Sequence, residues 1–480
     1  MEQKINYHMT KIRKDIETFI AFLKEKLKHP AFEKAAGFVC SLLAVVLVGR
    51  LIFGISVNGC ATIRAVKNHE NIGAALSSDL FGDPRQETRE ITFTPPEKNF
   101  YPPVTRKHAY ESLQSDRLKA AYRAIERSAF RVTDMPVSLT WMEDKYDSDV
   151  YLLARAHIPS LSMAEVYTVK QAVAADHPEI FWLAGACTIG ENMRDGKYAI
   201  LYSYYSYDEI TERMARLEES LSSILNELDA GLSQYELEVR IHDILMRDVA
   251  YDDEAAERLD RFSDAATSYG ALVNKSALCI GYSTAAKLLL ERVGVESMTV
   301  TGKASDGGGQ AHMWNLVRIE GQWYHLDVTW DAAYDYYHYF NLTDGMIGLN
   351  HETAPGYDKL TDQYLEDPGR EMLFNFPLPV CNSTEYNYYE REAVKIADLK
   401  TGAALLNQAI MDAAASRKDV IYLLFDGGPG VDEIEEWTYR HVKNGLTDIH
   451  IVYGQDVSAK ISYSKNAPWE RLFRIRFEYN

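Results

Sequence analysis

Cys279, His312 and Asp327 are the residues of this 480-residue sequence whose types and order suit acyl transfer through a thiol. A thiol is a useful nucleophile only as thiolate, and a helix N-terminus and a nearby imidazole both favour that form. After Cys279 the apolar residues Ala286, Leu289, Leu290 and Val293 recur at helical spacing, and Gly294 supplies a C-terminal stop. The spacing therefore predicts Cys279 in the first turn of a helix. There the free N–H groups and the macrodipole would stabilise a negative sulfur and could hold the oxyanion of an acyl intermediate. Taken alone, Cys279 reads more readily as a buried structural thiol. Its helical setting and its two partners are what point to chemistry.

The partners can be placed by parity. Residues 312–319 (HMWNLVRI) and 322–329 (QWYHLDVT) read as strands flanking Glu320-Gly321, a two-residue hairpin turn. Pairing Ile319 with Gln322 sets His312 opposite Thr329 and Trp314 opposite Asp327. Facing residues share a side of the sheet, so His312 and Asp327 become diagonal neighbours about 7 Å apart at the backbone, within reach of a hydrogen bond. Asp327 would then fix the imidazole tautomer, and His312 would exchange a proton with Cys279. A one-residue register slip would destroy this geometry.

These residues lie in segments that resemble the transglutaminase-like superfamily, and more narrowly its bacterial secreted or membrane-attached branch. The segments are Cys279-x-Gly281-Tyr282, His312-x-Trp314-Asn315 and WYHLDVTWD at 323–331. The likeness extends upstream through Ile241-His242-Asp243 and Val249-Ala250-Tyr251-Asp252, and downstream through Tyr339–Asp344, covering roughly residues 160–360. The resemblance implies an α+β, papain-like fold with Cys279, His312 and Asp327 as the triad. That family holds cross-linking transglutaminases, peptidases, amidases and members without activity. The implied enzyme forms a thioester from a protein or peptide amide, with the cell envelope as one source of substrate, and passes the acyl group to water or to an amine. The other reading is a catalytically inactive surface binding or scaffold module on the same fold.

The elements that must position these residues occupy only part of the chain, whose length suits about three domains. A net charge of −19 argues against a nucleic-acid partner. The cysteines, Cys40, Cys60, Cys187, Cys279 and Cys381, form no CxxC pair. His312, His325 and His338 match no common ligand spacing, and no Asp-x-Asp-x-Asp-Gly loop marks calcium, so neither metal nor cofactor is expected. Cys187 and Cys381 could pair in an exported protein, although two isolated buried thiols is the simpler reading.

Residues 36–57 (AGFVCSLLAVVLVGRLIFGISV) are long and apolar enough for one transmembrane helix, with Arg50 as the costly exception. Basic residues crowd the preceding side, from Lys11 to Lys34. This places residues 1–35 in the cytoplasm and the catalytic body outside. Residues 58–107, broken by Pro84, Pro95, Pro96, Pro102 and Pro103, read either as a tether or as an arm wrapped on the body.

Residues 108–360 make up the transglutaminase-like domain with an N-terminal helical and β extension. In it 108–131 is helical, 198–207 an aromatic strand and 208–228 an amphipathic helix. Ser233 and Glu236 form a capping box before a further helix that carries His242, which reads as structural. The glycine run 307–309 before His312 reads as a turn at the cleft edge. Residues 385–480 suggest a small α/β domain: helix 403–415, strand 420–425, helix 432–442, and strands 449–453 and 472–479.

Overall fold

The computed structural model describes residues 89–92, 101–104, 106–137, 150–192, 196–258, 263–305, 309–362, 373–454, 456–464 and 468–479. The expected cytoplasmic segment, the membrane span and most of the tether lie outside them, as do Gly307 and Gly308. Among the described residues no helix is long and apolar enough to cross a membrane.

Short polar signals start the long helices. Capping boxes of Ser162 with Glu165, Ser206 with Glu209 and Ser233 with Glu236 open the helices Met163–Asp176, Tyr207–Asn226 and Gln234–Asp248. The first expected helix is two, His108–Ser112 and Asp116–Ala129, the second capped by Ser115. The helices Asp116–Ala129, Met163–Asp176 and Tyr207–Asn226 lie against a sheet of six strands: β1 (Arg89–Glu90), β2 (Arg131–Val137), β3 (Val150–Leu153), β4 (Ala156–His157), β5 (Leu183–Asn192) and β6 (Gly196–Ser203). Strand β6 lies at its centre, bonded to β3, β4 and β5.

The central part begins with a parallel pair, β7 (Ala250–Tyr251) and β8 (Ser276–Ala277), and leads into the cysteine helix Cys279–Arg292. An antiparallel sheet follows: β9 (Glu296–Ala304), β10 (Gln310–Ile319), β11 (Gln322–Leu326), β12 (Phe340–Leu342) and β13 (His351–Thr353), in the order β12-β11-β10-β9-β13. The cysteine helix is buried on most sides, with Ala285, Ala286, Leu289 and Leu290 fully enclosed, so it belongs to the core and is not a surface helix with one apolar stripe. Val317 and Ile319 of β10 join it in the main core, while Trp314 and Leu316 on the other face pack with Met298, Val300 and Cys381.

The hairpin pairs Ile319 with Gln322 as expected, and Glu320 (φ 47°) and Gly321 (φ 88°) both take the left-handed conformation such a turn needs. The β11 ladder stops at Leu326, however. Asp327 caps a short helix, Val328–Tyr334, so the facing pairs Trp314–Asp327 and His312–Thr329 do not form. The Asp327 carboxylate accepts hydrogen bonds from the Thr329 and Trp330 amides, which a strand would not offer it.

The C-terminal sheet orders β14 (Val394–Ile396), β15 (Val420–Phe425), β17 (Leu472–Tyr479) and β16 (Val457–Tyr463), with β14 parallel to β15 and the rest antiparallel. It is covered by the helices Leu399–Ser416 and Val431–Tyr453. The expected strand 449–453 is the last turn of the second helix, which ends only at Gly454 (φ 63°), and the strand follows at Val457. Ile451, Val452 and Tyr453 are exposed there, so their β-branched, aromatic run is not a sign of sheet packing.

Gly302 is needed where β13 closes on β9. A Cβ there would stand 2.2 Å from the Glu352 carbonyl oxygen and 2.8 Å from the Trp314 ring. Gly302→Ala is expected to lower stability by about 1–3 kcal/mol, as overpacking does. The urea midpoint should fall at unchanged slope, and a midpoint equal to that of the wild type would show that β13 can move away freely.

Candidate active site

The start of the cysteine helix is held by short hydrogen bonds. The Leu278 amide donates to the Ala265 carbonyl at 2.7 Å, and the Tyr282 hydroxyl to the Val249 carbonyl at 2.5 Å. Gly281 permits this approach, because a Cβ would stand 2.3 Å from the Ala265 oxygen. Leu278 supplies no side-chain cap, so the first-turn N–H groups around Cys279 have no side-chain acceptor from that residue. Cys279 itself is half-buried. Ser283, one turn on, donates to the Met313 carbonyl at 2.8 Å, and Asn315 Nδ2 donates to the Ser283 carbonyl at 3.0 Å. These two bonds tie the start of the helix to β10 beside His312.

The Cys279 side chain lies near enough to His312 to raise its ring, and the His312 Nε2–H donates to Asp327 Oδ2 at 2.6 Å. Nδ1 is therefore the nitrogen left for the sulfur. All three residues picked from the sequence are brought together, with the aspartate reaching the ring from a helix cap and not across a ladder. Burial alone would lower the His312 imidazole. The charge and hydrogen bond of Asp327, and Cys279 beyond them, outweigh it and push the ring up to about 10. Burial would raise the Asp327 carboxyl, but the His312 charge and the bonds from His312 and His351 hold it well below the usual carboxylate range.

His351 was not singled out from the sequence. Its Nε2 lies 3.1 Å from Asp327 Oδ2, and its ring centroid is 5.5 Å from that of His312. Only the return of β13 onto β9 brings it there, so no local spacing marks it. Trp314 stacks on His312 with centroids 6.0 Å apart, and Trp330 approaches it at 5.9 Å. Tyr251, opposite Ala277 in the parallel pair, is exposed near the sulfur, and its phenol is raised by burial and then by the Cys279 charge.

Among the described residues two side-chain groups have ligand atoms close enough for an ion: His312, Asp327 and His351, and His325, Asp344 and Cys381. In the first, both ring nitrogens converge on one carboxylate oxygen already used by His312. In the second, the Trp314 indole N–H donates to His325 Nδ1 at 2.9 Å, so the proton sits on Nε2 and points at Asp344 Oδ1, 2.9 Å away. That tautomer leaves no lone pair for a cation. His338, considered beside His312 on sequence grounds, stacks on Tyr336 instead and is pushed down to about 4 by burial. Cys187 and Cys381 are free buried thiols.

Residues 223–328 match the transglutaminase-like superfamily, a range that contains Cys279, His312 and Asp327 and ends before His351. The kyphoscoliosis peptidases of Mus musculus and Homo sapiens are each 29% identical over 126 residues, 24% of this chain and 18% of the relative. The match thus spans less than a fifth of the length of those curated relatives. Among solved structures, a TGase crystal structure shares 13% identity over 36% of this chain and 50% of its own, with a TM-score of 0.22. A candidate cysteine protease from Cytophaga hutchinsonii shares 10% over 30% of this chain and 61% of its own, with a TM-score of 0.20.

The raised His312 ring ties stability to pH. A group raised in the fold adds stability that is complete below its unfolded value, near ~6.5, and is lost as pH climbs to about 10. Asp327→Asn removes the charge responsible. Wild-type stability should fall between these limits more steeply than that of the variant, and an equal slope in chemical denaturation would contradict the assignment.

Proposed function

We propose that this protein, whose residues 223–328 form a transglutaminase-like domain, is a membrane-anchored cysteine enzyme acting on peptide or amide bonds. One observation carries the reading. The thiol meets an imidazole, and the imidazole meets a buried carboxylate, at a helix start without a side-chain cap.

The Cys279 thiolate attacks the carbonyl carbon of an amide. The oxyanion is met by the first-turn N–H groups of the cysteine helix. The C–N bond breaks as the His312 imidazolium gives its Nδ1 proton to the leaving amine, and the acyl group stays on sulfur as a thioester. Water or a primary amine then attacks, losing its proton to His312, and Cys279 leaves as thiolate. Asp327 holds the Nε2–H throughout, so that Nδ1 always faces the reacting atoms. Protein or peptide is the substrate class, as in the activity named for the kyphoscoliosis peptidases. The apolar run 36–57 and the basic residues before it support an anchor with the body on the extracytoplasmic side.

Labelling of Cys279 by a neutral thiol-directed electrophile should remain fast at mildly acidic pH, and His312→Ala should slow it at that pH. Turnover of a peptide mixture should fall by at least ~100-fold in His312→Ala and vanish in Cys279→Ala. Adding a primary amine separates hydrolysis from transfer by product mass. Labelling no faster than that of a free thiol, with no product, would favour the inactive binding or scaffold module. Protease protection of the full chain in sealed vesicles tests the orientation.

A further inference from the structure

The helix Gln234–Asp248 buries two ionisable side chains one turn apart, Glu238 and His242. His242 holds the capped helix, since its Nε2 lies 3.0 Å from Asp331 Oδ2. Glu238 holds β12. Asn341 Nδ2 donates to Glu238 Oε2 at 2.7 Å and to the Tyr386 carbonyl at 3.0 Å. A backbone carbonyl can only accept, so it fixes which way the Asn341 amide points. Both N–H bonds of that amide are thereby used, and Oδ1 is left as an acceptor. Among the described residues, Glu238 Oε1 and Asn341 Oδ1 are buried with no donor to meet them. A carboxylate only accepts, so an ionised Glu238 leaves two oxygens unmet in the interior, which is unfavourable. A carboxylic acid carries the missing donor.

We propose that Glu238 is a positioning residue of the site, held as a neutral acid whose O–H on Oε1 donates to Asn341 Oδ1. Acid and amide then exchange two hydrogen bonds, one in each direction. Burial pushes the Glu238 carboxyl up to about 8, against the Asn341 bond and the His242 charge, which both lower it. The titratable groups that face it from its own helix are His242 and Tyr235, and Arg391 and Glu392 stand beyond Tyr235. From β12 it meets the Asn341 amide, which is uncharged. His242 is the charge that acts on Glu238, and it is shared with Asp331 and with Asp243, 3.9 Å from its Nδ1. The link to the site is short. Two residues before Asn341, the Tyr339 carbonyl accepts from the Asp327 amide at 3.0 Å, and the Tyr339 amide donates to Asp331 at 2.9 Å. Loss of the Glu238 proton turns a donor facing Asn341 into an acceptor, and the repulsion falls on the strand that holds Asp327. The site thereby has an upper pH limit set by a group that touches none of its reacting atoms. The effect on catalysis rests on the proposed function, whereas the acid–amide pair does not.

Glu238→Gln keeps the shape of the acid and supplies an N–H where the acid supplies its O–H. A carboxyl raised by the fold adds stability that is complete below its unfolded value, near ~4.3, and is lost as pH climbs to about 8. In chemical denaturation of the full chain, the unfolding constant of the wild type should therefore rise with pH more steeply than that of Glu238→Gln. The difference should reach about tenfold per pH unit between about pH 5 and 8, and the variant should be the more stable protein at about pH 9. Equal slopes, or a variant less stable at the alkaline end, would overturn the proposal, since an ionised Glu238 paired with His242 gives that result. The site is read by exchange of the ring N–H between His312 and Asp327 with solvent. At about pH 9 it should be faster in the wild type than in Glu238→Gln, and at about pH 6 equal in the two. Rates equal at both pH values would refute the positioning role. Should Glu238→Gln fail to fold, carbon-13 NMR of the wild type labelled at the glutamate carboxyl takes its place. The signal displaced in Asn341→Gly, where the left-handed backbone (φ 55°) suits glycine, should titrate near pH 8. Titration at the ordinary glutamate value would contradict the claim. A neutral Glu238 found in a protein without turnover would leave the acid–amide pair standing and sink only the enzyme reading.

Discussion

Asp327 has no exposed surface, and an ionised carboxylate in such a place costs several kcal/mol unless its oxygens are fully met. Four donors meet it. Oδ1 accepts from the Thr329 and Trp330 amides, and Oδ2 from the rings of His312 and His351. The two amides belong to the helix that Asp327 itself caps, so the direction of the carboxylate is set by backbone and not by a free rotamer. The two rings come from β10 and β13, on either side of β9. One buried charge thereby pins three segments of chain, and removing it would leave two imidazoles and a helix start without a partner.

The capped helix, Val328–Tyr334, has seven residues and is too short to stand on its own propensity. It is held from its far side. Asp331 is reached by His242 Nε2 at 3.0 Å and by the Tyr339 amide at 2.9 Å. Burial raises the Asp331 carboxyl to about 6. Burial would lower His242, but the Asp243 carboxylate 3.9 Å from its Nδ1 and its bond to Asp331 raise it to about 9, so a proton stays within the His242–Asp331 pair. At the end of the helix Asp335 bonds to Arg474 and Arg476 of β17. Trp469 donates to the His338 carbonyl and packs with Tyr389, Tyr422 and Leu342. The C-terminal sheet is therefore part of what keeps Asp327 in place, a role nothing in its own sequence advertises.

What could be read from the sequence was local. The helical spacing after Cys279, the stop at Gly294, the Glu320-Gly321 turn and the Ser233 capping box each depend on residues a few positions apart, and each has a counterpart in the fold. Pairing Ile319 with Gln322 was legible for the same reason. The end of that ladder was not. WYHLDVTWD alternates well enough to continue as a strand, and the choice of Asp327 as a cap is made by His242 and Tyr339, which are distant in sequence or in a different element. His351 escaped for a like cause, since its place depends on Gly302 letting β13 lie flat on β9. In the C-terminal part, Ile449–Tyr453 has strand-like residues but stays helical, with Ile449 buried in the core and Ile451, Val452 and Tyr453 left exposed.

Residue type alone does not single out the proposed site, because the fold contains a second gathering of cysteine, histidine and aspartate. The side-chain ligand atoms of Cys381, Asp344 and His325 lie within 4.8 Å of one another. The order of contact differs. There the thiol bonds to the carboxylate, and the imidazole meets the carboxylate from the other side, so no base touches the sulfur. Burial, then the negative Asp344, push the Cys381 thiol up, the reverse of what a nucleophile needs. His325 is spent as an acceptor for the Trp314 indole, and burial lowers it. Cys279 has the imidazole between itself and the acid, a helix start behind it and a half-open side. Trp314 stands between the two groups, donating to His325 and stacking on His312. The inert cluster thus serves as the clamp that holds one wall of the other. Which of two chemically similar sets can react is decided by the order in which donors and acceptors meet, and that order is a property of the packing.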